Sequence, residues 1–239
     1  MPDARVRAAL LEAMDGPSLV RRAIEEHGTF KEAFVELERR PPDEVATDLL
    51  IDAYRTERAP PWLVAALLGA ARGENGYDVA RAILWAAPRL LAESYAGVAM
   101  AKIRGEDAAK DLFDAIENAP ERRSREGAAY GLARLHLEPH VDRVLDAYRK
   151  GRLAFVTTAS VLADFPSALP RFVIWLGGDD PQLEDLALAA AIHVSAERGG
   201  RLSGAFADAV EASLAARRVF VSESRRAMLR ERIEAGRKT

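Results

Sequence analysis

The sequence predicts an all-α protein built as a right-handed α-solenoid, with about six helical hairpins stacked in chain order and capping helices at both ends. Three observations lead there. First, one phrase recurs at a fixed spacing: Leu112-Phe113-Asp114-Ala115-Ile116 matches Val144-Leu145-Asp146-Ala147-Tyr148, with the aspartates 32 positions apart. The phrase returns around Asp52 and Asp208, each 62 positions, or two periods of 31, from Asp114 or Asp146. Second, Gly and Pro recur as turn signals between apolar segments of helical period, at Pro41-Pro42, Pro60-Pro61, Gly73, Pro88, Gly105, Pro120 and Gly151 among others. Third, Ala, Leu, Arg and Glu dominate, and no run of alternating Val, Ile or Thr suggests a strand.

The elements follow from this punctuation. A first helix over 3–14 stops at Asp15-Gly16-Pro17, and Ser18 is placed to cap a second that ends near Gly28, a candidate left-handed terminator. Thr29-Phe30-Lys31-Glu32 has the spacing of a capping box. Hairpin first helices are predicted near 29–40, 62–72, 93–104, 122–136, 152–164 and 181–197. Their second helices are predicted near 44–57, 77–87, 106–118, 138–150, 168–176 and 203–216. Asp43 is placed to cap one of these, and Asp180-Pro181 puts a cap ahead of proline at the first helical position. Small residues recur in the first helices, including Gly97, Ala99, Ala101, Ala129, Gly131 and Ala133, and would let neighbouring helices approach closely. The expected organisation is one domain: capping helices over 1–28, repeats over 29–216, and a basic capping helix and tail over 217–239.

Composition narrows the function classes. Without cysteine there is no thiolate chemistry, zinc–thiolate site or disulfide. The amino terminus has charges inside its apolar pattern and lacks a secretory core, and no segment approaches a membrane span, so a cytoplasmic protein is expected. Residues 217–239 carry eight basic and three acidic residues, a surplus of five, so the rest stands at −8 against a total of −3. An acidic body repels phosphate backbones, which argues against a nucleic-acid binder. The basic terminal helix either caps the acidic array or reaches an anionic partner.

The phrase Arg125-Glu126-Gly127-Ala128-Ala129-Tyr130-Gly131-Leu132-Ala133-Arg134-Leu135 and the short period resemble HEAT repeats, closest in type to the HEAT-like repeats of phycobilin lyases. The resemblance covers roughly 29–216 and implies a scaffold that binds a protein partner, with second helices lining a concave surface. The tetratricopeptide and ankyrin signatures are missing. HEAT-like hydroxylases of the deoxyhypusine class use repeated His-Glu dipeptides, which this chain lacks, and HEAT-like DNA glycosylases use a basic groove. Fold alone does not fix function.

Placed on a helical wheel, Asp146 points away from Val141, Val144, Leu145 and Tyr148, with Arg143 and Lys150 beside it. In the geometry the resemblance implies, Asp52, Asp114, Asp146 and Asp208 form a row suited to a basic segment of a partner; the alternative is an ordinary solvated face. Leu84-Trp85 and Ile174-Trp175 replace Asp-Ala in two repeats, which puts Leu84 and Ile174 at positions that should face solvent. They are either interface residues or signs that these helices rotate or are covered. Arg81, Arg143 and Arg171 recur at equivalent places, to meet a partner's carboxylates or local aspartates. Trp62 reads as a packing anchor. His136 and His140 straddle a turn and share no helical face, so no metal site is expected.

The sequence therefore assigns no catalytic residue, cofactor or metal. Its candidate partner-binding residues are Asp52, Leu84, Trp85, Asp114, Arg143, Asp146, Ile174, Trp175 and Asp208. The classes kept beside a non-enzymatic scaffold are a phycobilin-lyase-like enzyme and an inhibitor or immunity-type binding protein.

Overall fold

The computed structural model describes residues 10–88, 91–135, 139–165, 167–194, 201–202, 204–216 and 219–238. Among these residues every regular element is helical. The predicted first helix lies mostly outside them, with only 10–13 described as helix. The chain divides into two compact units, 1–135 and 136–239, which splits the fourth predicted hairpin at its turn.

The first unit contains α1 (Gly16–Glu25), α2 (Phe30–Glu38), α3 (Glu44–Arg55), α4 (Pro61–Ala71), α5 (Tyr77–Ala86), α6 (Ala92–Arg104), α7 (Ala109–Asn118) and α8 (Arg122–Ala133). Packing alternates along the chain. α2 packs on α4, α4 on α6 and α6 on α8, while α3 lies against α1 and α4, α5 against α4 and α6, and α7 against α8. α4 is apolar on every face and buried from Leu63 to Ala71, as the innermost helix of such a set must be. Phe30 meets Trp62 edge-on at 5.3 Å, so Trp62 is the packing anchor the sequence suggested.

α6 and α8 touch through main chain. A Cβ on Gly97 would lie 2.0 Å from the Gly127 carbonyl oxygen, and one on Gly131 would lie 2.4 Å from that of Gly97. Gly97 and Gly131 were legible as close-approach residues, and Gly127 joins them. At α4/α6 the approach is looser, with a Cβ on Gly69 3.3 Å from Ala99 Cβ.

Helix starts follow the sequence in part. Asp43 accepts from the Ala46 amide at 2.9 Å and Asp180 from those of Gln182 and Leu183, as expected of caps. The cap of α1 is Asp15, which accepts from the Ser18 amide at 2.7 Å, so Ser18 is inside the helix and not before it. Thr29 makes no capping box. It closes a 3₁₀ turn over His27–Thr29 and donates to the Glu26 carbonyl at 2.9 Å, and that turn takes in Gly28 without a left-handed φ.

The second unit contains α9 (Pro139–Arg149), α10 (Phe155–Asp164), α11 (Ala168–Gly177), α12 (Pro181–His193), α13 (Gly204–Ala216) and α14 (Glu223–Arg237). Alternation continues here, with α10 on α12, α11 on α13 and α12 on α14. Buried Glu184 of α12 accepts from Ser213 Oγ of α13 at 2.7 Å. The basic helix α14 buries Leu229 and Ile233, and its arginines reach inward. Arg225 pairs with Asp185 at 3.1 Å, Arg232 donates to the Val194 carbonyl at 3.0 Å, and Arg237 pairs with Glu211 at 2.6 Å. This helix packs against α12 and α13.

Candidate functional site

In the first unit the site is built by α5 and α7. Each follows a 3₁₀ turn, Glu74–Gly76 before α5 and Gly105–Ala108 before α7, so the helices start 32 residues apart. Tyr77, in the first turn of α5, donates from its hydroxyl to Asp111 in α7 at 3.0 Å. The Arg104 guanidinium lies 3.7 Å over the Tyr77 ring and is held by Glu74 at 2.5 Å. Tyr77 is buried, and burial, with the bond to Asp111 second, pushes its pKa well above the usual tyrosine value.

The same two helices carry a groove of about 530 Å³ lined by Asp78, Arg81, Ala82, Trp85 and Asp114. Asp78, Arg81 and Asp114 are exposed, and Trp85 is half-buried. Asp114 accepts from Asn118 Nδ2 at 2.7 Å, which leaves lone pairs for a further donor. Among the described residues Arg81 makes no hydrogen bond or ion pair. The indole Nε1 of Trp85 is shielded from solvent and also lacks a partner. An unsatisfied buried donor of this kind costs about 1–3 kcal/mol. Two carboxylates, a guanidinium and an indole thus converge on one open groove.

The sequence-derived set divides. Trp85 and Asp114 come together in this groove. Leu84 does not: it is fully buried, contrary to the expectation that it faces solvent. The reason is register. The 3₁₀ turn before α7 is one residue longer than that before α5, and matching the helix starts puts Ala82, which is exposed, opposite Asp114 and Leu84 opposite buried Ile116. Asp52, in α3, is exposed and ion-paired with Arg58. Asp78 was missed because it lies outside the recurring phrase, although its place one turn before Arg81 was readable.

In the second unit Asp146, Ile174 and Asp208 are exposed on α9, α11 and α13. Asp146 pairs with Lys150 at 2.6 Å, the local solution available to a solvated face. Arg143 is exposed on α9. Arg171 reaches Asp142 through two nitrogens, one at 3.2 Å, so the local alternative holds for it, and the pair keeps the Asp142 carboxyl below its ordinary pKa. Ile174 is 70% exposed, as expected, beside Trp175, which is half-buried edge-on against Phe172 at 5.4 Å. Phe172 in turn meets Phe206 of α13 at 5.5 Å.

Among the described residues no three or more His, Asp and Glu gather as metal ligands would, and His136 lies outside those residues. No described helix is long and apolar enough to cross a membrane. No family model, curated protein or solved structure matches the chain.

Proposed function

We propose that this chain is a non-enzymatic binding scaffold whose α5/α7 groove takes a basic side chain from a partner protein. The observation that carries the reading is the groove itself, which Asp78 and Asp114 line together with Trp85. A lysine or arginine entering between the carboxylates gains two charge-assisted partners and the indole face. Arg81 pairs with a neighbouring acidic residue of the partner. The charged groups are exposed, which suits reversible recognition better than acid–base chemistry, where burial tunes a catalytic group. Asp146, Ile174 and Asp208 are the corresponding contacts we assign in the second unit, with Trp175 bracing Ile174.

The finer architecture belongs to the same proposal. The alternating packing is what consecutive hairpins of a right-handed HEAT-like solenoid would produce, with α3, α5, α7, α9, α11 and α13 as its second helices. A protein working in the cytoplasm fits the composition.

The test is an array of short peptides containing Lys or Arg in varied contexts, with neutral and acidic controls, probed with the whole protein. Basic peptides are expected to bind. Trp85→Ala should weaken them by about 2 kcal/mol, in the range of an interface hot spot. Asp78→Asn with Asp114→Asn should abolish the preference for basic over neutral peptides. Equal binding of basic and acidic peptides, or basic binding that persists in both folded variants, would sink the reading.

A further inference from the structure

We propose that a second cavity of the first unit, at the corner where α3 turns into α4, binds a soluble phosphate ester of about mononucleotide size through Arg55, Arg58 and His27. The cavity measures about 800 Å³. Its wall comes from three places: His27 in the turn between α1 and α2, Tyr54 and Arg55 at the end of α3, and the connection running from Glu57 through Arg58 to Pro60 and Pro61. The volume falls within the range of small-molecule sites and far exceeds what a lone ion needs.

Charge and shape select the ligand class. Arg55 is exposed and makes no hydrogen bond or ion pair among the described residues. Arg58 lies across the same space and is held by Asp52, with its Nε donating to Thr56 Oγ1 at 3.0 Å. Arg55 offers a whole guanidinium fork to the oxygens of a phosphate, and Arg58 adds donors as Asp52 gives way, a role for which arginine is better suited than lysine. His27 supplies a further imidazole, and a dianionic phosphate suits such a group of donors better than a monoanionic carboxylate. Tyr54 is half-buried and, with Pro60 and Pro61, gives the cavity an apolar ring-bearing wall against which a planar base or sugar face would pack. Glu57 completes the wall with an acceptor for ligand hydroxyls or amines. It holds φ at 55° as the left-handed residue of the Schellman turn that ends α3, in which the Arg58 amide donates to the Ala53 carbonyl and the Glu57 amide to that of Tyr54.

Arg58 makes the site switchable. Its ion pair with Asp52 is exposed on both sides, so an incoming phosphate competes with one carboxylate for one guanidinium. Freeing Arg58 from Asp52 therefore strengthens the site, and removing either arginine weakens it.

The experiment is calorimetric titration of the full chain with adenosine monophosphate, with adenosine, pyrophosphate and phosphoinositide-containing vesicles as separate arms. Adenosine monophosphate is expected to bind saturably at one site, more tightly than pyrophosphate, with adenosine alone undetected. Arg55→Ala and Arg58→Ala should each weaken it about tenfold, the scale of one lost hydrogen-bonded charge. Asp52→Asn should tighten it. All three positions are exposed, so the variants are expected to keep the wild-type helical circular dichroism. The proposal is overturned if the nucleotide does not saturate the wild type, or if its affinity is unchanged in the folded Arg55→Ala/Arg58→Ala double variant. Vesicle binding without nucleotide binding overturns it in favour of a lipid surface, and pyrophosphate binding as tightly as the nucleotide overturns the ester assignment.

Discussion

Tyr77 shows how one side chain links folding to the site. Its hydroxyl proton is needed to reach Asp111, and its buried ring has no room for a phenolate beside a carboxylate. The folded-state pKa is raised, so the stabilisation is fully present below the unfolded value of about 10 and is lost as pH climbs above it. Chemical denaturation across the alkaline range should show stability falling above about pH 10 in the wild type. In Tyr77→Phe that slope should flatten, at the cost of lower stability near neutral pH. An identical alkaline slope in both proteins would remove Tyr77 from the tie between α5 and α7. This residue was not legible from sequence, because Tyr77 and Asp111 are partners only once two helices are set side by side. Asp114 was legible, since a charged residue flanked by apolar pairs at helical spacing must point outward.

At the scale of elements, the joint between α6 and α8 sets the strictest demand on sequence. Replacing Gly97 by Ala puts a methyl group 2.0 Å from a backbone carbonyl that no rotamer change can move. Separation of the helices is the only relief, and a loss of about 3 kcal/mol is expected, at the upper end for overpacking. Gly177→Ala, at the end of α11, meets no atom within 4 Å and serves as the control with no loss. Thermal or urea unfolding of the two variants checks this, and equal midpoints would refute the close approach. Helix existence and order were readable almost throughout because apolar period and Gly/Pro punctuation agree. The failures are local. Leu84 was misplaced because repeat matching assumed one spacing, while a 3₁₀ turn of four residues replaces one of three ahead of α7. Ser18 and Thr29 failed as caps for a related reason, since Asp15 sits where the hydroxyl was expected and a short 3₁₀ turn consumes Thr29.

For the whole molecule, the division at residues 135 and 136 predicts that each unit can open locally. Removing residues 222–239 strips Leu229 and Ile233 from the second unit and leaves Arg225, Arg232 and Arg237 unable to meet Asp185, Val194 and Glu211. Amide hydrogen exchange on the truncated chain is expected to show faster exchange across α12 and α13, with α4, α6 and α8 unchanged. Uniform loss of protection would argue for one cooperative core. The charge asymmetry readable in the sequence has its explanation here, because the basic surplus of the last helix is spent on carboxylates and carbonyls of its own unit.

The glycine seam also has a mechanical meaning. Where side chains separate two helices, rotamers can give and the helices slide; where carbonyls rest on α-carbons, they cannot. Pulled from its two ends, the first unit would therefore yield at joints such as α2/α4, padded by side chains, long before α6 and α8 shifted. Tyr77 and Asp111 join helices that both border this stiff pair, so the groove hangs from the part of the unit least able to flex. A partner docking there would meet a jaw of nearly fixed width, and would be selected by fit more than by accommodation.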